Sequence, residues 1–268
     1  MNMDIHNRLF AEEIAGWLPF TGRRILEIGC GNGDMLKYIA KYYSPNHIVG
    51  IDPGLDDWWN IGESSGDNWE VRSGDAESLE FEDNEFDAVI TVSTFEHIGN
   101  TAKALSEIRR VLKPYGRFYT SFRPVWTSIV GHHFVAPEDD WWNEEHLALI
   151  PPWGHLYMSE PEMKRHLESE NVQEPLKSQI LDFIYHSALI NRKPQHEITA
   201  DIHNSGMIVR HYSEQVRFSR FDSGTQNELT AGTAGRLLDM GYDISEIGVW
   251  GMKVCLEKLA ANQGGGQC

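Results

Sequence analysis

Cysteine is scarce in this chain: Cys30, Cys255 and Cys268 are the only three in 268 residues, odd in number and far apart. Neither a disulfide framework nor a cysteine zinc site is therefore expected. Long apolar runs are also missing, and none approaches the roughly 20 residues that a spanning helix needs. A soluble chain with no membrane partner is expected. The N-terminus lacks the basic-then-apolar order of a secretion signal, which points to the cytoplasm. Its first residues pattern as an amphipathic helix with Ile5, Leu9, Ile14 and Trp17 inward. Cations are few: 23 Lys and Arg stand against 40 Asp and Glu, a formal charge of −17. Nucleic-acid affinity draws on cation contacts to phosphate, so a nucleic-acid partner is not expected. The one basic cluster, Arg109, Arg110 and Lys113, falls late in an expected helix, where cations complement the helix dipole.

What is present is a regular alternation. Between residues 24 and 122, short apolar runs (24–28, 47–51, 69–73, 86–92 and 117–122) alternate with helical patterns at 34–42 and 101–112. Such βαβ units build a parallel sheet with helices on both faces. After residue 122 the pattern breaks into about a hundred residues rich in Trp, His, Pro and acids, longer than an ordinary crossover and suited to a lid. Regular structure returns as a helix at 227–240, then as a strand pair at 242–247 and 249–256. A competing frame puts a sheet strand at 207–212, and the tail 264–268 is expected to fray. The resulting expectation is one doubly wound, mostly parallel, seven-stranded sheet. Its parts are 1–122 for the N-terminal helix and ligand-binding half, 123–226 for the substrate-covering insertion, and 227–268 to complete the sheet.

The segment Ile25-Leu26-Glu27-Ile28-Gly29-Cys30-Gly31-Asn32-Gly33-Asp34 runs from a buried strand through a glycine-rich turn into a helix. Glycines there allow close backbone approach, and a helix start attracts the negative end of a ligand. The Gly-x-Gly-x-Gly spacing differs from the Gly-x-Gly-x-x-Gly that accommodates a dinucleotide pyrophosphate, so a cofactor without pyrophosphate is favoured. Asp52 closes the second strand, where a carboxylate can accept from both hydroxyls of a ribose, and Asp75 follows the third, placed for an adenine amino group.

Together these segments closely resemble the class I S-adenosylmethionine-dependent methyltransferases, over residues 24–122. The resemblance implies that Gly29, Gly31 and Gly33 line S-adenosylmethionine and that Glu27 holds its amino end. It assigns Asp52 to the ribose, Pro53 to the adenine wall, and Asp75 with Ala76 to the adenine edge. Phe86-Asp87-Ala88-Val89-Ile90 and the following Ser93-Thr94-Phe95-Glu96-His97-Ile98 resemble the family's fourth strand and its loop, which puts Ser93 beside the cofactor. Val111-Leu112-Lys113-Pro114-Tyr115-Gly116-Arg117 resembles the turn into the fifth strand, except that Tyr115 stands where glycine is common.

Methyl transfer from a sulfonium is an in-line displacement with a good leaving group, so positioning supplies much of the rate. A hydroxyl acceptor needs a base as well, and histidine suits that work. His97 follows the fourth strand at the carboxyl edge and is one candidate, with cofactor positioning as its other reading. The insertion supplies His132, His133 and His155 among Trp126, Trp141, Trp142 and Trp153, in an order resembling methyltransferases encoded with surface-polysaccharide enzymes. Tryptophan faces can cover a sugar ring, or they can form the lid's own core. The same stretch, with Asp139, Asp140, Glu144, Glu145 and His146, offers nitrogen and oxygen ligands without a diagnostic metal spacing; a divalent metal is not expected. The acceptor expected is a small molecule, methylated on oxygen. Nitrogen or carbon methylation of a metabolite and a non-catalytic cofactor-binding module are the alternatives.

Overall fold

A computed structural model of the chain describes residues 3–55, 62–136, 143–220 and 228–260. The first half runs α1 (Met3–Trp17), β1 (Arg24–Ile28), α2 (Asp34–Tyr43), β2 (His47–Ile51), β3 (Ser64–Ser65), β4 (Trp69–Arg72), β5 (Phe86–Val92), α3 (Thr101–Val111) and β6 (Leu112–Phe122). Five helices follow, α4 (Glu144–Ala148), α5 (Gly154–Tyr157), α6 (Glu160–Ser169), α7 (Leu176–Tyr185) and α8 (Gln195–Asn204). The chain then closes with β7 (Ile208–Val216), α9 (Ala231–Asp239), α10 (Ile244–Ile247) and β8 (Val249–Glu257).

The strands form one sheet in the order β3-β4-β2-β1-β5-β6-β8-β7. β1 pairs in parallel with β2 on one side and β5 on the other, Leu26 facing Val49 and Val89. Strand order reverses there, which places the ligand crevice of an open α/β sheet outside the carboxyl ends of β1 and β5. Seven strands match the expected architecture. The eighth, β3, is an edge dipeptide antiparallel to β4.

Two compact units divide the chain. Unit 1 comprises Met1–Phe122, Thr199–Ser213 and Lys253–Cys268, and unit 2 comprises Arg123–Ile198 and Glu214–Met252. In unit 1 the core gathers Ala11, Ile14 and Leu18 of the N-terminal segment, Leu36 and Ile39 of α2, and Ile25, Ile48 and Ile90 of the strands. Unit 1 is further tied by Glu257, which accepts from Arg117 at 3.0 Å and Arg210 at 2.7 Å, joining β6, β8 and β7. Arg117 also donates to the Trp17 carbonyl at 2.8 Å, which secures the end of α1.

Unit 2 has apolar clusters of its own. Trp153 is fully buried among Ile129, Val130, Leu147, Leu237 and Ile247, and its Nε1 donates to the Ile247 carbonyl at 3.0 Å. A second cluster joins Phe134 and Ile150 to Met163, Leu167, Ile180 and Ile184 of α6 and α7.

Three expectations need correcting. On α1, Ile5 and Leu9 are exposed, at 57% and 60%, while Asn7, Ala11 and Ile14 turn inward. Nine residues separate Ile5 from Ile14, which is two and a half turns, so the two cannot share a face. The run 242–247 is not a strand: its end forms α10, capped by Asp243 Oδ1 accepting from Ser245 N at 2.7 Å. The two competing frames both contribute, since β7 and β8 both lie in the sheet. Tyr115, by contrast, simply adopts the glycine-like conformation, φ 64°, with its ring exposed. Residue 227 and the tail 264–268 lie outside the described residues.

Candidate active site

The turn after β1 is held to the end of β2. Gly29 N and Cys30 N both donate to the Ile51 carbonyl, at 2.8 and 3.1 Å. Asp52, buried, accepts from Gly31 N through Oδ2 at 3.0 Å and from Gly54 N through Oδ1 at 2.8 Å. Gly29, Gly31 and Gly33 all have positive φ, at 70°, 51° and 75°. At Gly29 the need for glycine is also steric, because a Cβ would meet Thr94 Oγ1 at 2.2 Å. Thr94 is the functional neighbour that sequence reasoning missed: its Oγ1 donates to the Val92 carbonyl at 3.0 Å and approaches the Gly29 carbonyl at 3.5 Å. The loop after β5 thus abuts the glycine turn.

The Glu27 carboxyl is buried and its Oε2 has no hydrogen-bond partner. Burial, and then the neighbouring Asp52 charge, push it up to about 8. An unpartnered carboxyl beside a glycine turn fits the cationic amino end of S-adenosylmethionine, which would supply the missing donor and charge. In the ligand-free protein Glu27 keeps its proton up to about pH 8, whereas an unfolded glutamate ionises near 4.5. Its contribution to stability is therefore full below about pH 4.5 and is lost as pH rises toward 8, by up to about 1.4 kcal/mol per pH unit. Two results are expected. Cofactor binding at pH 7 releases up to one proton per site, read by calorimetry in buffers of different ionisation enthalpy. Glu27→Gln removes both this release and the loss of thermal stability between about pH 4.5 and 8; a Gln variant that still releases the proton would clear Glu27 of the role.

Asp52 is already committed to two amides, yet each carboxylate oxygen retains a second lone pair for a ribose hydroxyl. Replacing it by alanine strips the turn of its organiser and the ribose of its acceptor. Asp52→Ala is expected to weaken cofactor affinity by about 1.5 to 3 kcal/mol, tenfold to over a hundredfold. Unchanged calorimetric affinity in a folded variant would mean that another residue holds the ribose. Beyond Asp52, Pro53 is exposed and Ala76 buried. Asp75 is exposed, with Oδ1 accepting from Glu77 N at 2.8 Å and Oδ2 left for a ligand amine.

Ser93 takes a left-handed φ of 49° and donates its N–H to the Ser121 carbonyl at 2.8 Å, tying the loop to β6. The 3-10 turn Phe95–His97 then carries His97. Phe95 is fully buried against Phe118 and Phe122, whereas His97 is exposed, its backbone N–H donating to the Thr94 carbonyl at 2.9 Å. One apolar anchor thus holds an accessible imidazole at the carboxyl edge.

The histidines of unit 2 differ in kind. His155 is buried, its Nε2 donates to the Trp126 carbonyl at 2.8 Å, and its Nδ1 has no partner. Burial drives it down to about 4. His132 is buried too; its Nδ1 accepts from Phe134 N at 3.0 Å, and burial followed by the neighbouring His155 holds it well below the ordinary range. The two rings meet edge to face at 5.3 Å. His133 is half-buried, with a left-handed φ of 54°. Within unit 2 the described residues bring no three metal-ligating side chains together. Trp141, Trp142, Asp139 and Asp140 lie outside the described residues.

The basic cluster is committed locally. Arg110 bonds Glu107 and Asp83, and Lys113 bonds Asp87. No helix among the described residues is long and apolar enough to cross a membrane.

A family model described as a methyltransferase domain matches residues 26–120. Over 207 residues the chain is 30% identical to the ubiquinone/menaquinone biosynthesis C-methyltransferase UbiE of Pseudomonas fluorescens, covering 72% of this chain and 74% of that protein. It is 36% identical over 107 residues to the fatty-acid O-methyltransferase of Mycolicibacterium smegmatis, and here it spans only 38% of the relative's length and 38% of its own. Among solved structures, the phosphoethanolamine N-methyltransferase 2 of Haemonchus contortus, in complex with S-adenosyl-L-methionine, shares the fold with a TM-score of 0.52 at 18% identity, over 94% of this chain and 53% of that one. With the glycine turn, the buried acids and the strand order in agreement, the chain belongs to the class I S-adenosylmethionine-dependent methyltransferases.

Proposed function

We propose that the protein transfers a methyl group from S-adenosylmethionine to a hydroxyl oxygen of a small polar acceptor, such as a sugar, a glycoconjugate precursor or a natural-product scaffold. The observation that carries the cofactor half is the buried, unpartnered carboxyl of Glu27 behind a turn organised by Asp52. When bound, the sulfonium supplies a methyl carbon open to in-line attack. Glu27 would hold the amino end, Asp52 the ribose, and Asp75 with Ala76 the adenine edge. His97 takes the acceptor's proton, because its ring is exposed on an anchored turn at the carboxyl edge of the sheet. His133 is the alternative base. His132 and His155 maintain unit 2 instead, since a base held far below neutrality has little pull on a hydroxyl proton.

The 30% identity to a C-methyltransferase supports a second reading, methylation of a metabolite carbon. Labelled methyl transfer into a small-molecule extract, run beside a matched protein fraction, separates the readings. Label on an oxygen of a small molecule supports the proposal, and label on carbon selects the second reading. Cofactor binding without any transfer indicates a non-catalytic module.

A further inference from the structure

Unit 2 holds a half-buried guanidinium with no anion beside it among the described residues. Arg123 is the first residue after β6, and its Cζ lies over the Trp250 ring, 5.1 Å from the centroid. Among the described residues its guanidinium has neither a hydrogen bond nor an ion pair, and it faces the ring. Arg123 has given up part of its hydration with an aromatic face but no described acceptor in exchange, which leaves its five donors unsatisfied among the described residues.

The same ring carries a second arginine. Arg217 Cζ lies 4.8 Å from the Trp250 centroid, and the side chain is fixed by donating to the carbonyls of Ser219 and Arg220, at 2.6 Å each. Two guanidinium carbons near one centroid lie no more than about 10 Å apart. Val125 N donates to the Trp250 carbonyl at 2.9 Å, which sets the segment after Arg123 against β8's first residues. Arg123 is thus anchored by its backbone and by an aromatic face, while its planar fork remains available. Such a fork matches a carboxylate or a phosphate by two parallel hydrogen bonds.

We infer that Arg123, assisted by Arg217 and seated on Trp250, binds an oxyanion of the acceptor, either a carboxylate or a phosphate. The acceptor is then an anionic small molecule, such as an acidic sugar or a phosphorylated precursor. The assignment to the acceptor rests on the proposed function, but the site can be tested without turnover, so its failure and that of the methyl-transfer reading are distinguishable.

The test follows the Trp250 indole N–H by heteronuclear NMR on the full chain, its signal assigned with Trp250→Phe. Sodium phosphate, sodium acetate and glycerol are titrated separately at constant ionic strength. A saturable shift with phosphate, acetate or both, and none with glycerol, is expected. Phosphate alone identifies a phosphorylated acceptor, and acetate alone a carboxylated one. Arg123→Gln should weaken the response at least tenfold with an unchanged melting temperature. If that variant misfolds, Arg123→Lys keeps the charge, loses the fork, and should still weaken binding severalfold. No saturable shift with either anion in the unmodified protein, or equal shifts in a folded Arg123 variant, overturns the inference.

Discussion

A Gly31→Val protein is expected to fold and to lose cofactor binding altogether. Gly31 sits at φ 51°, a region that a β-branched residue enters only at a cost of about 1 to 3 kcal/mol. Relieving that strain would rotate the amide away from Asp52 Oδ2, which it now reaches at 3.0 Å, and so dismantle the turn. A valine side chain would also occupy the space into which the backbone's lack of a side chain admits the ligand. The fold should survive, because the neighbouring core residues Ile25, Leu26, Leu36 and Ile39 are fully buried and untouched by the change. Calorimetric titration with the cofactor, beside a thermal melt, gives the answer. Full binding by a folded variant would show that the turn does not approach the cofactor.

His97→Ala should lower single-turnover methyl transfer by about a hundredfold or more, while cofactor affinity stays nearly intact. The prediction separates His97 from the buried histidines. His155→Ala leaves the Trp126 carbonyl without its donor, so it should cost about 1 to 3 kcal/mol of stability. Because His155 is driven down to about 4, its contribution is full above about pH 6.5 and is lost as pH falls toward 4. His155→Ala should therefore flatten the acid side of the stability profile. His133→Ala, made in parallel, measures the alternative base. Normal turnover in both the His97 and His133 variants refutes the assignment, and activity abolished by a chelator and restored by one divalent ion would point to metal-assisted chemistry.

Much of the fold could be read locally. β1, β2 and β5 end where the apolar runs end, because strands covered on both faces need continuous apolar residues and give way at once to turn chemistry. The glycine turn was legible for the same reason: its glycines, Glu27 and Asp52 lie within two short windows. The face of α1 was misjudged because hydrophobicity alone favoured Ile5 and Leu9, whereas the helical phase that buries Ile14 also buries Asn7. α10 was misjudged because Ile244 and Ile247 suit either a short strand or one helical turn, and the Asp243 cap decided for the helix. β7 was hard to recognise because an edge strand buries little; none of its residues is classed as buried.

Local spacing by itself determined the parallel sheet and the glycine turn, and the resemblance carried by that turn gave the cofactor class. Each of these depends on backbone geometry over a few residues, and such geometry is encoded where it occurs. Only the tertiary structure decided which titratable groups stand alone. Glu27 and His155 are perturbed by what surrounds them, Arg123 is distinguished by the absence of an anion among the described residues, and His97 differs from His132 by exposure and not by residue type. Desolvation is a sum over neighbours brought from distant parts of the chain, so no window of sequence contains it.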